Sequence, residues 1–199
     1  MRWRAALLAV VAALVSACSN GDEAGPTATV GTAAPTTATT DPYAVPEVID
    51  VAYVNKVLAG LDQVSGDIAR IVLQTRTIPP EAVDRLKTLY TGESLQLSLD
   101  LLQQDMRKGF SDYKTDPGNP KTTVMKLITA KPDCIFAEVR RDASELATTP
   151  RSPSTVWVSL RPLNPAADPN NYNPTRWFFA YDGFEQGRVQ PADPCIAPS

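Results

Sequence analysis

Residues 122–142 read TTVMKLITAKPDCIFAEVRRD. Two runs rich in β-branched and apolar residues, TTVMKLITA and CIFAEVRRD, flank Lys131-Pro132-Asp133, a pattern that predicts a β-hairpin. The hydrophobic period changes here. Upstream, apolar residues recur every three or four positions; downstream, they recur in short strand-length runs.

On the upstream side, Val48, Val51, Val54, Val57, Leu58, Leu61, Val64, Ile68, Ile71 and Val72 keep helical spacing, with Gly60 and Gly66 leaving open whether they form one helix or two. TIPPEAVDRLKTLY follows, with Pro79 and Pro80 suited to a helix start and Val83, Leu86, Leu89 and Tyr90 on one face. A third helix is predicted from about Glu93 to Lys108. Leu95, Leu99, Leu102, Met106 and Phe110 line its stripe, Leu97 and Leu101 widen it, and Gly109 stops it. On the downstream side, STVWVSLRP and RWFFAYDGF predict two more strands, joined by a proline-rich loop through Pro162, Pro165, Pro169 and Pro174. Helices first and an antiparallel meander after them predict an α+β domain, with N-terminal helices on one face of a roughly four-stranded antiparallel sheet. No helix-length crossover separates the later strands, which disfavours a parallel sheet.

That domain spans 47–199, 153 residues, enough for one substantial core. Ahead of it, positions 19–46 hold 7 Thr, 6 Ala, 4 Pro and 3 Gly with no lysine or arginine, a composition that cannot bury enough apolar surface to offset ordering entropy. A disordered tether with a reach of about 30 Å is expected. At the start of the chain, Arg2 and Arg4 precede eleven apolar residues, Ala5 to Val15, too few for a span of about 20. Small residues Ser16 and Ala17 then precede Cys18, the layout of a cleaved secretory signal over 1–17.

Val15-Ser16-Ala17-Cys18 resembles the lipobox of bacterial lipoproteins. The resemblance implies diacylation of the Cys18 thiol, cleavage before it, and a chain held on the extracytoplasmic face of the cell membrane by two acyl chains. Ordinary secretory cleavage, or an uncleaved anchor, is the alternative. The leader and threonine-rich linker together resemble those of actinobacterial envelope lipoproteins, in which such stalks carry O-linked sugars. Lipidation of Cys18 would leave Cys134 and Cys195 as one pair, expected to oxidise outside the cytoplasm, with two unpaired buried thiols as the other reading. Without the leader the formal charge moves from −3 to −5, since 1–17 carries two arginines and no acid; this argues against nucleic acid as a partner.

The element order over 47–190 also resembles the nuclear-transport-factor-like and cystatin-like cone fold. Enzymes of that fold place Asp, Tyr or His between helices and sheet. This chain has no histidine, which removes Ser-His and Cys-His pairs and nearly all zinc sites. It has no Gly-rich phosphate loop, and no cofactor or metal is expected. Tyr53, Tyr90, Glu138 and Asp182 remain as examples of what such a pocket would offer, although solvated surface acids are the plainer reading. DPNNYN, Asp168 to Asn173, has some features of a calcium loop but lacks its glycine and closing glutamate, so a turn held by Asp and Asn side chains is expected.

Alternation along the last two strands puts Trp157, Ser159 and Arg161 on one face, and groups Trp177, Phe179 and Tyr181 together. Apolar groups on both faces suggest that Trp157, Arg161, Trp177 and Tyr181 contact a small apolar ligand or another envelope protein, unless loops or the Cys195 tail cover them. The sequence thus predicts a non-catalytic binding or accessory module, with an assembly subunit, or a histidine-free lyase, isomerase or hydrolase, as alternatives.

Overall fold

The computed structural model describes residues 41–149, 152–184 and 190–196. Cys18 and its leader lie outside the described residues. Three helices come first, α1 (Val51–Thr75), α2 (Pro80–Leu89) and α3 (Gly92–Arg107). Four strands follow, β1 (Lys121–Lys131), β2 (Cys134–Asp142), β3 (Ser154–Pro162) and β4 (Trp177–Phe184). They pair antiparallel in chain order, and the helices pack on the sheet, so the α+β class and layout match the change of period.

Local chemistry sets the helix limits. The Asp50 carboxylate accepts from the Tyr53 N–H at 2.8 Å and caps α1. α1 then runs unbroken for 25 residues, so Gly60 and Gly66 do not divide it. They sit where neighbours occupy the space a side chain would need, Thr175 and Tyr43 over Gly60 and Asn119 over Gly66. Pro80 opens α2, and Gly109 takes φ +66° just beyond α3.

One face of the sheet forms the main core. Ile135, Ala137 and Val139 of β2 and Val156, Val158 and Leu160 of β3 pack with Val54, Leu58 and Leu61 of α1 and with Leu86 and Leu89 of α2. α3 contributes less: Leu102 is buried and Leu95 and Leu99 are half-buried, while Leu97, Leu101 and Met106 are exposed. The buried stripe therefore stops short of Met106, which sequence periodicity included.

A bulge in β4 changes which residues share a face. Leu160 pairs with Phe179 but Ser159 pairs with Tyr181, leaving Ala180 without a partner. Trp177 and Phe179 consequently join the helix-side core, and Tyr181 falls on the opposite face. Strict alternation had grouped all three; the extra residue separates them.

The outer face carries a second, smaller cluster of Cys134, Phe136, Trp157 and Cys195, with Ile128 beside it. A disulfide joins Cys134 to Cys195, with Cα atoms 5.6 Å apart. It holds the 190–196 segment against the sheet. Lys131 Nζ donates to the Cys195 carbonyl at 3.2 Å, Arg161 Nη2 donates to the Pro194 carbonyl at 2.8 Å, and the Thr129 hydroxyl donates to Asp193. On the helix side of the sheet, Tyr43, in the stretch that composition assigns to the tether, packs on the main core and accepts from the Tyr53 hydroxyl at its carbonyl, 3.1 Å away.

Candidate functional site

Two features stand out: a buried polar cluster between helices and sheet, and a cavity among the helices. The cluster begins at Asp62, which continues the buried Val54–Leu58 row of α1 at four-residue spacing. Its carboxylate accepts from the Thr122 N–H at 2.6 Å and the Thr122 hydroxyl at 2.8 Å, tying α1 to β1. Burial pushes the Asp62 carboxyl up to about 6, and Asp182 adds to the rise, although the Thr122 hydrogen bonds and Arg141 oppose it.

Thr122 pairs in register with Arg141, which therefore also faces the helices. Arg141 Nη1 reaches both Asp182 oxygens, at 3.0 and 2.8 Å, and its guanidinium lies 5.3 Å from the Phe179 ring centre. Burial alone would lower the guanidinium, but Asp182 and Tyr90 hold it above its ordinary value. Tyr90 follows α2, stacks on Phe179 with ring centres 5.5 Å apart, and points its hydroxyl at Asp182 across a long 3.5 Å contact. Burial first, then the Asp182 charge, raises the Tyr90 phenol well above its usual range. Asp182 is thus engaged by Arg141 and Tyr90 stays protonated, an arrangement that links α2, β2 and β4.

Tyr90 also forms part of the wall of an open cavity of about 190 Å³ lined by all three helices. Ile68 and Ala69 of α1, Leu86 and Leu89 of α2, and Leu101 and Leu102 of α3 supply its apolar surface. Ser65, Ser98, Asp105 and Tyr113 supply its polar groups, and the Tyr113 hydroxyl donates to Asp105 at 3.0 Å. An adjoining cavity of about 360 Å³ shares Leu101, Asp105, Tyr113 and Leu146, and continues to Gln104, Lys108 and Asp112. Apolar walls with a few placed polar groups are the usual make-up of a small-molecule site.

Of the four acid–base candidates, the structure brings Tyr90 and Asp182 together. Tyr53 lies elsewhere in the core, its hydroxyl accepting from Trp177 Nε1 at 3.0 Å, and Glu138 sits on the outer face opposite Trp157. The aromatic-face candidates are not brought into one exposed surface. Trp177 is 1% exposed in the main core; Trp157 is 6% exposed beneath the Cys195 tail, its indole N–H without a hydrogen-bond partner among the described residues. Arg161 holds the tail, and Tyr181 alone is exposed, its ring beside Gly183. The Asp168 carboxylate accepts from the N–H groups of Tyr172 and Asn173 at 2.8 and 2.7 Å, as a turn-forming aspartate does.

Asp62, Arg141 and Asp105 are the residues that sequence reading missed. Asp62 on an apolar helical row, and Arg141 in phase with Ile135, Ala137 and Val139, both carry a readable signal. Compared with protein-family models, curated proteins and solved structures, the chain matches none.

Proposed function

We propose that this chain is a lipid-anchored, extracytoplasmic binding module whose head takes a small apolar molecule between α1, α2 and α3. The observation that carries the reading is the cavity of about 190 Å³, walled by aliphatic side chains from three helices and by the Tyr90 ring. An apolar cavity of about 150 Å³ accepts benzene, so this one has room for a single ring or a short chain. Anchorage rests on the lipobox at Cys18, and a Cys134–Cys195 disulfide suits an oxidising compartment. Among the described residues no helix is long and apolar enough to cross a membrane.

An envelope protein docking on α3 is the second reading. It is favoured by Leu97 and Leu101, 60% and 51% exposed one turn apart. Acid–base catalysis has weaker support, because Asp182 is neutralised by Arg141 and does not line the cavity.

The test fills the cavity. Ser98 lines it from α3, and Ser98→Phe places a ring inside. Native mass spectrometry of the chain extracted from its own membranes is expected to show a bound small molecule on the wild type and none on the variant, with melting temperatures within a few degrees. A wild-type chain that carries nothing, or a variant that keeps the same adduct, would overturn the reading.

A further inference from the structure

Asp105 lines both adjoining cavities, at the point where the aliphatic lobe meets the polar one. Its carboxylate accepts from the Tyr113 hydroxyl, and no ion pair within 4 Å reaches it among the described residues. In the polar lobe the other acid, Asp112, lies 3.8 Å from Lys108, so the three charged residues that line it, Asp105, Lys108 and Asp112, sum to one negative charge. The carboxylate is half-buried, where a charge interaction is less screened than at an open surface.

We infer that the site selects an amphiphilic amine: an apolar ring or short chain in the helix-walled lobe, with an ammonium group beside Asp105. The inference rests on the binding reading above and adds the head group to it. An ammonium entering this lobe exchanges water for a carboxylate and the Gln104 side-chain amide, whereas a ligand carboxylate would meet a like charge. An alcohol of the same length keeps the apolar contacts and gains no ion pair.

Photolabelling of the full chain in its native membrane vesicles tests this, using diazirine-bearing octylamine, octanol and octanoate. Labelled positions are mapped by mass spectrometry, and each probe is compared between wild type and Asp105→Asn in matched membranes, so that partition into lipid cancels. The expected result is that amine and alcohol label residues lining the cavity, and that Asp105→Asn lowers amine labelling about tenfold, the equivalent of about 1.4 kcal/mol. Alcohol labelling is expected to hold, and octanoate labelling to rise. Tyr113→Phe, which removes the hydrogen bond but keeps the charge, is expected to retain the amine's advantage. Equal labelling by amine in wild type and Asp105→Asn overturns the head-group inference while leaving the apolar site standing. A parallel loss of amine and alcohol assigns Asp105 a shaping role and also overturns it. Absence of cavity labelling by both probes overturns the binding reading itself.

Discussion

Asp62 shows how a single charge ties helix to sheet at a cost. Two hydrogen bonds to Thr122 fix the first strand against α1, yet burial holds the carboxyl at about 6, above its unfolded value of 3.8. A folded-state value above the unfolded one means that its favourable contribution is complete below about pH 4 and is lost as pH rises through about 6. The difference corresponds to no more than about 3 kcal/mol. Asp62→Asn keeps an acceptor for the Thr122 N–H and offers a donor to its hydroxyl. The variant is therefore expected to melt higher than wild type at pH 7.5, with the gap nearly closing at pH 4, as read by thermal denaturation across that range. A variant that melts lower at pH 7.5 would mean that the charge itself stabilises the fold. The residue was visible in the sequence as an acid on the Val54–Leu58 row, but its partner was not, because sequence gives no register between α1 and β1. Asp105 was still less visible, since it stands on the half-buried side of α3, where an acid looks like any solvated one.

At the scale of elements, the strands and helices followed from period together with proline and glycine punctuation, except that the single span of α1 was left open. The use of the sheet's outer face did not follow. One unpaired residue, Ala180, sends Tyr181 away from Trp177 and Phe179, and no composition rule marks that position. The C-terminal segment has the opposite character. It lacks any apolar period, yet Cys195, Asp193 and the Pro194 carbonyl hold it across β1, β2 and β3 and cover Trp157. Closing a loop across 61 positions contributes about 4 kcal/mol in the chain-entropy model. Cys195→Ala is thus expected to lower stability by up to that amount in denaturant titration, and to shift tryptophan emission to the red as Trp157 loses its cover. Trp177 stays in the main core and supplies an unshifted component. Emission unchanged in the folded variant would mean that polar contacts alone keep the segment in place.

The whole molecule closes both faces of the sheet: Tyr43 packs on the main core, and the disulfide holds the tail on the outer face. The attachment proposed above draws on acyl chains and not on the core, whose apolar groups are buried within the head. One acyl chain gives only marginal binding, and two give stable binding. Under the proposed lipidation, Cys18→Ser removes the sulfur that would accept the diacylglyceryl group. It is expected to move the chain from the membrane pellet to the soluble fraction, as measured by fractionation and high-salt washing. The melting temperature of the head is expected to stay within about a degree of wild type, which separates loss of the anchor from loss of the fold. A serine variant that pellets as completely as wild type would place the attachment elsewhere, in the uncleaved leader or on a partner at the exposed edge of α3.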